Sequence, residues 1–243
     1  MGSGLENGAS TSPQPQGPEG AFIAAMTLDS RYVRRDDDRM DTVLVPLHPA
    51  WWSRPYEYAW ARQFAHAEET VLDAASGIPH PFKFWLVDRV HKVYACDLDP
   101  RILSNEAIRS AVADDFGIQI SRILPERYIE NVERAQADLA ALPYPDEQFD
   151  TVFCISVLEH LDHPTRLKSL KEFARVLRPD GRLVLTVDVP EIEPEQLTTL
   201  LSEAGLMIVG PLSTERPDDA IFTTMYGSAI YCFRALIKKK TKG

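Results

Sequence analysis

Cysteine, glycine and basic charge are all scarce in this chain. Its 243 residues hold three cysteines, Cys96, Cys154 and Cys232. They are far apart and odd in number, which makes neither a zinc pattern nor a disulfide framework and fits a reducing compartment. Five of the twelve glycines fall in the first 20 residues, so the rest of the chain is glycine-poor. Lys and Arg number 26 against 36 Asp and Glu, a net charge of −10. That balance weighs against a DNA-coating protein, because neutralising phosphates takes clustered basic residues. No run of about 18 apolar residues is long enough to span a membrane, and no basic-then-apolar leader opens the chain. No internal repeat appears. The expectation is a cytoplasmic protein with no membrane span and no DNA partner.

What is present is ordinary in amount. Hydrophobic residues make up 44% and charged ones 26%, as in soluble globular proteins. The length suits one large α/β domain that buries a core without disulfides or a structural metal. Residues 1–20 carry five glycines and three prolines and no aromatic residue. Such a stretch cannot offset its ordering entropy. A disordered or loosely ordered tail is expected over 1–40, with the charged run RRDDDR at 34–39 as a solvated connector. A single domain then fills 41–243. It opens on an aromatic helical cap over 41–68, which includes Trp51, Trp52, Tyr56, Tyr58, Trp60 and Phe64. Pro55 suits a helix's first turn. The segment reads as a helix packed across the sheet or as a lid over a ligand, and the two are compatible.

From residue 70 short apolar runs alternate with amphipathic ones. This is the signature of a parallel sheet covered on both faces. Strands are expected at 70–74, 92–97, 132–137, 151–156, 182–187, 206–209 and 229–236. Helices are expected at 81–89, 103–114, 164–177 and 194–204. Arg178-Pro179-Asp180-Gly181 reads as a turn between the third helix and its strand, and Gly205 as a left-handed helix end. The lysines at 238–240 and Lys242 read as a solvated end.

Four strand ends carry chemistry, at the carboxyl edge where open parallel sheets bind ligands. The first reads Val71-Leu72-Asp73-Ala74-Ala75-Ser76-Gly77; small residues let the backbone turn and approach a ligand, though a plain strand-to-helix turn has the same composition. In the second, Asp97 follows Asp73 by 24 residues, near the spacing of about 20 for an acid that grips ribose hydroxyls. An exposed strand-end acid is the other reading. The third places Asp138 and Leu139 where a carboxylate and an apolar wall can meet a base. The fourth, FDTVFCISVLEHL at 149–161, opens a buried strand into a loop with Ile155, Ser156, Glu159 and His160. His160 is the local candidate for a general base, or it braces the loop. Cys154 reads as a core residue.

In combination these resemble the class I S-adenosylmethionine-dependent methyltransferases of the small-molecule type. The elements are DAASG at 73–77, DLDP at 97–100, DLAALPYP at 138–145, FDTVFCISVLEHL at 149–161 and RVLRPDGRLVL at 175–185. Each alone is common; five in order at the family's spacing are specific. The resemblance covers about residues 70 to 236. It implies a Rossmann-like α/β fold, a seven-stranded mostly parallel sheet of order 3-2-1-4-5-7-6 with the last strand antiparallel and helices on both faces. It implies S-adenosylmethionine as cofactor, with Asp73, Ala74, Ala75, Ser76 and Gly77 along its methionine and ribose. Asp97 would take the ribose hydroxyls, Leu98 and Leu139 would flank adenine, Asp138 would meet its amine, and Ile155 and Ser156 would lie beside the sulfonium. The chain departs from the pattern at Ala75 and Pro79, where the family has glycines.

The implied activity is methyl transfer to a polar or aromatic small molecule by in-line displacement. No Asp cluster accompanies the loop after Ser156, so a metal-independent reaction is expected. No Asn-Pro-Pro-Tyr or Asp-Pro-Pro-Tyr follows the fourth strand, which disfavours adenine or glutamine amines as acceptors. Trp52, Tyr56 and Tyr226 are the candidate acceptor-binding residues. Walls at 46–64, 117–131 and 213–226 would add charged groups, among them Arg54, Glu57, Arg122, Glu126, Arg127, Arg216 and Asp219. An RNA or protein methyltransferase and a donor-binding protein without transfer activity remain as alternatives. No G-x-G-x-x-G follows the first strand, so a nicotinamide dehydrogenase fits less well.

Overall fold

A computed structural model describes residue 1 and residues 28–240. The expected tail over 2–27 and the terminal Lys242 lie outside the described residues. In chain order the elements begin with β1 (Arg31–Tyr32), the small hairpin β2 (Thr42–Val43) and β3 (Val45–Pro46), and α1 (Arg54–Ala61). Then come β4 (Thr70–Ala74), α2 (Phe82–Leu86), β5 (Lys92–Asp97), α3 (Asn105–Phe116), α4 (Ile118–Ile123), α5 (Glu126–Glu130) and β6 (Val132–Gln136). The second half runs through β7 (Phe149–Ile155), α6 (His163–Val176), β8 (Leu177–Val189), α7 (Pro194–Glu203), β9 (Leu206–Ile208), β10 (Phe222–Thr223) and β11 (Ile230–Lys239).

The main sheet has the order β1-β11-β8-β7-β4-β5-β6, with β9 and β10 also pairing on β11. Strands β6, β5, β4, β7 and β8 are mutually parallel, and β11 is antiparallel to β8. The seven expected strands therefore stand in the expected order. The sheet nevertheless has nine strands, because the short β1 and β10 add themselves to the long β11.

Alternation along the strands explains why both faces are covered. In β7, Val152 and Cys154 enter one apolar cluster while Phe153 and Ile155 enter the other. Leu183 and Leu185 of β8 likewise point one way and Val184 the other. Successive side chains on a strand face opposite sides, so an uninterrupted apolar strand demands helices on both. Helices α6 and α7 cover the first face, and α1, α2 and α3 the second. Ser104 caps α3 by accepting from the Ala107 amide, and Asp162 caps α6 through the Thr165 amide, as short polar side chains do at helix starts.

Four expectations are corrected. The tail was expected to stay loose to residue 40, yet β1 pairs with Phe233 and Arg234 of β11, and Tyr32 and Val33 are buried. The run at 34–39 is not simply solvated. Asp37 accepts from both terminal nitrogens of Arg31, at 2.9 and 2.6 Å, and from the Arg34 amide at 2.8 Å. Residues 178–181 do not leave the sheet as a turn. They form an irregularity inside β8, where pairing jumps from Phe149–Leu177 to Thr151–Arg182. At the C-terminus, β11 runs through Lys239, and Lys240 donates to Ser202.

Arg234 anchors the N-terminal segment to the sheet. Its side chain is 3% exposed, pairs with Asp29 at 2.5 Å and Asp37 at 3.5 Å, and lies over the Trp60 ring. Removing one partner from such a buried set leaves uncompensated charge. Arg234→Ala is expected to lower the unfolding free energy by about 3 kcal/mol, read by urea denaturation. A loss no larger than that of an exposed Arg101→Ala control would show that the anchor contributes nothing.

Candidate active site

Two clefts lie side by side at the carboxyl ends of β4, β7 and β8. The inner one, about 250 Å³, is walled by Asp73, Ala75, Ser76 and Gly77 from the loop after β4, and by Ile155, Ser156 and Val157 after β7. The outer one, about 400 Å³, is walled by Trp51 and Trp52, by Glu159 after β7, by Asp188 and Glu191 around the end of β8, and by Tyr226. Arg54, His80, Ser156 and His160 line both, so the clefts meet at these four residues.

The loop after β4 turns without the usual glycines. Ala75 itself takes a left-handed conformation, φ 51°, and Gly77 follows at φ 63°. A left-handed non-glycine costs roughly 1–2 kcal/mol, so the surroundings must hold it. The Ser76 amide donates to the Cys96 carbonyl at 2.9 Å, and the Gly77 amide to Asp97 Oδ2 at 2.8 Å. Beneath the loop, the fully buried Lys83 of α2 donates to the carbonyls of Gly77 and His80. Burial pushes the Lys83 ammonium down and the neighbouring Asp73 carboxyl up, while their mutual attraction opposes both shifts. Ser76 Oγ is buried with no hydrogen-bond partner. A hydroxyl left unpaired on a cleft wall is available to a polar ligand.

Asp97 Oδ1 accepts from the Asp99 amide at 3.0 Å and Oδ2 from Gly77. Each oxygen keeps a further lone pair. Asp138 is exposed and accepts from the Ala140 amide at 2.9 Å. Leu139 is buried and Leu98 is 68% exposed. Asp97, Leu98, Asp138 and Leu139 stand at or just past the carboxyl ends of β5 and β6, beyond the walls of the two clefts.

Helix α1 closes the site from above, held by one carboxylate. Glu57 is fully buried and accepts from Ser156 Oγ, from Thr186 Oγ1 at 2.6 Å, from Ser53 Oγ at 3.0 Å and from Arg54 Nη1 at 2.5 Å. Burial pushes its carboxyl up, but Arg54 and the two strand-end hydroxyls hold it below its ordinary range. Ser156 sits at φ 47°, so its hydroxyl reaches α1 while its amide donates to Thr186. Next to it, the Trp51 ring lies 4.0 Å from that of His80, and His80 Nδ1 is 3.1 Å from the Tyr58 hydroxyl.

The candidate residues divide clearly. Asp73, Ala75, Ser76, Gly77, Ile155, Ser156 and His160 gather around the inner cleft, and Trp52 and Tyr226 around the outer one. Ala74 is buried in the apolar cluster. Tyr56 lines neither cleft; it packs against Val33, Ile221 and Cys232, because the α1 turn places it opposite Tyr58. The segment at 117–131 is no wall either. Arg109 ties Ser121, Leu124 and Glu126 to α3, and Arg127 pairs with Asp88. Arg216 covers the Tyr231 ring, and Asp219 lies 4.0 Å from Arg34. Among the described residues no group of three or more His, Cys, Asp and Glu could hold a metal ion. Sequence reasoning missed Lys83, His80 and Asp188. His80 and Asp188 matter through neighbours distant in the chain, Tyr58 and Glu159, while Lys83 matters through its burial beneath the nearby loop.

Residues 72–185 match the family described as "Methyltransferase domain". The chain is 41% identical over 151 residues to the 27-O-demethylrifamycin SV methyltransferase of Amycolatopsis mediterranei, covering 57% of this chain and 53% of that protein. It is 30% identical over 148 residues to the ubiquinone/menaquinone biosynthesis C-methyltransferase UbiE of Hahella chejuensis, covering 60% and 51%. It thus spans about half the length of these curated relatives. The Burkholderia thailandensis 1,6-didemethyltoxoflavin-N1-methyltransferase, solved with 1,6-didemethyltoxoflavin and S-adenosylhomocysteine, superposes with a TM-score of 0.52 at 18% identity, covering 78% of this chain and 80% of that one. At that identity the likeness is one of fold. No described helix is long and apolar enough to cross a membrane.

Glu159 is the electrostatic anomaly of the site. It is 5% exposed, and neither carboxyl oxygen has a hydrogen-bond partner on another residue. Burial, reinforced by Asp188 and Glu57 and opposed by Arg54, pushes it up to about 8. A carboxyl whose folded pKa exceeds its unfolded one, near 4.5, subtracts stability increasingly as pH rises between the two. Glu159→Gln is therefore expected to melt with the parent near pH 4.5 and progressively above it toward pH 8. A pH-independent difference in melting temperature would show the carboxyl to be solvated or paired.

Proposed function

We infer a methyl-transfer activity from one premise: the chain belongs to the class I S-adenosylmethionine-dependent methyltransferase family, whose domain it matches over residues 72–185. The reading is a methyltransferase with a small-molecule acceptor, the donor in the inner cleft and the acceptor in the outer one. The observation that carries it is the junction of the clefts at Arg54, His80, Ser156 and His160. Two ligands lying in clefts that share a wall can be brought end to end, which is what displacement at a carbon requires. Methyltransferases named for small molecules among the similar proteins support the acceptor class.

S-adenosylmethionine, when bound, supplies a methyl group already activated on a sulfonium. The residues present suit it. Ser76 Oγ is unpaired on the inner wall, and the Asp97 carboxylate, fixed by two amides, retains lone pairs for a vicinal diol. The exposed Leu98 and Asp138, just past the ends of β5 and β6, support an adenine position there, whereas Leu139 is buried in the apolar cluster. The chain's main task is alignment: holding two ligands in line and dry can supply roughly 7–11 kcal/mol. The roof of α1, with Trp51 and Trp52, excludes water above the junction. His160, exposed at the shared rim, is positioned to take a proton from an acceptor that starts protonated.

Asp97→Ala is expected to weaken donor binding by about ten- to a hundredfold, the loss of one or two charged hydrogen bonds, measured by calorimetry with S-adenosylmethionine. An unchanged dissociation constant removes Asp97 from the site, and no donor binding at all by the folded parent removes the activity. With an acceptor found by screening metabolites against labelled donor, His160→Ala is expected to lose turnover while keeping donor affinity. Equal turnover would leave His160 with a purely structural role.

A further inference from the structure

The outer cleft is charged in a way that methyl transfer does not explain. Three carboxyls line it, from Glu159, Asp188 and Glu191, against one guanidinium, that of Arg54. That guanidinium pairs with Glu57 through Nη1, its buried Nε has no partner, and it offsets only part of the rise that burial causes in Glu159 and Asp188. Both oxygens of Glu159 and Oδ1 of Asp188 are buried with no partner on another residue. The same α1 neighbourhood satisfies Glu57 with four donors, whereas no side chain donates to Glu159 or to Oδ1 of Asp188. A buried unpaired carboxyl costs stability unless a ligand supplies the missing donors and charge. Among the described residues no group of three or more His, Cys, Asp and Glu is placed to hold a metal ion. Trp51, Trp52 and Tyr226 complete the wall, and aromatic faces attract cations as well as flat apolar bodies.

We propose that the acceptor of the outer cleft carries a cationic nitrogen, an ammonium or amidinium, which Glu159 and Asp188 bind together while the tryptophans hold its apolar body. The assignment rests on the division into an inner donor cleft and an outer acceptor cleft. It concerns the group that is recognised and leaves the methylated atom open. Glu159 sits just past the end of β7 and Asp188 near the end of β8, two adjacent strands. The pair is therefore fixed by the sheet and needs no reorganisation to meet a cation. An anionic acceptor would find one guanidinium against three carboxyls. A neutral polyol and the donor's own sulfonium are the competing occupants.

The test uses the whole chain and three probes of similar shape: 2-phenylethylamine, 2-phenylethanol and 3-phenylpropionate. Each is titrated calorimetrically with and without saturating S-adenosylhomocysteine. The amine is expected to bind at least about tenfold more tightly than the alcohol, and the carboxylate not at all. Glu159→Gln and Asp188→Asn, checked as folded by their melting curves, are each expected to lose about tenfold or more in amine affinity. Their affinity for S-adenosylhomocysteine should stay within about twofold. Asp188→Asn alone decides the matter if Glu159→Gln does not fold. Equal affinity of amine and alcohol, no amine binding at about 10 mM, or amine affinity unchanged in the variants overturns the proposal. So does a loss of S-adenosylmethionine affinity with S-adenosylhomocysteine affinity intact, since that gives the carboxyls to the sulfonium. Failure of S-adenosylhomocysteine to bind the parent sinks the donor reading instead, while the amine-over-alcohol preference measured without it still decides this one.

Discussion

Glu57 is a carboxylate buried to zero exposure that accepts from one helix turn and from two strand ends at once. An ion placed there without partners would cost several kcal/mol after relaxation. It is tolerated because Arg54 and Ser53 reach it from α1 while Ser156 and Thr186 reach it from β7 and β8. That set of donors fixes where the helix sits on the sheet. Arg54 is thereby placed between the clefts, Trp51 and Trp52 above them, and the Ser156 backbone in its left-handed turn. Neither cleft would keep its walls if α1 slid along the strand ends.

The inner loop shows the same logic in a different material. Ala75 takes the left-handed position and Pro79 stiffens the stretch leading into α2. The missing conformational freedom is offset by Lys83, whose ammonium gathers the Gly77 and His80 carbonyls from below. Tyr58, stacked on Phe82 at 5.0 Å and hydrogen-bonded to His80, couples this clamp back to α1. Loop and roof are thus one packed unit, and a ligand in either cleft feels both.

Satisfied and unsatisfied carboxyls stand within one small region. Glu57 has its full set of donors and serves the fold. Glu159 and Asp188 lack them, and burial pushes both up, Asp188 to about 7. A fold that leaves a buried acid, Glu159, and a half-buried one, Asp188, without donors forgoes stability at that spot, which is the usual mark of a site shaped for something other than the protein itself.

The strands and the loop after β4 follow from the sequence because they depend on local pattern; their order in the sheet was an expectation of the family resemblance alone. Apolar runs such as VFCI at 152–155 admit only a doubly covered strand, and Asp73 to Gly77, Asp97 and Ser156 lie at strand ends that the alternation itself locates. Short-range signals also account for α3 and α6, whose capping residues sit at the start of each helix. The addition of β1 to the sheet depended on Arg234 pairing with Asp29, 205 residues away, and no local signal encodes that. The site's charge was hidden for the same reason. Asp188 and Glu159 are 29 positions apart in the sequence and unremarkable there; only the adjacency of β7 and β8 turns them toward one cleft. How far Arg54 balances them depends on its pairing with Glu57. Backbone pattern is a property of neighbours in the chain, whereas the pairing of buried charges is a property of neighbours in space, and only the packed tertiary structure decides it.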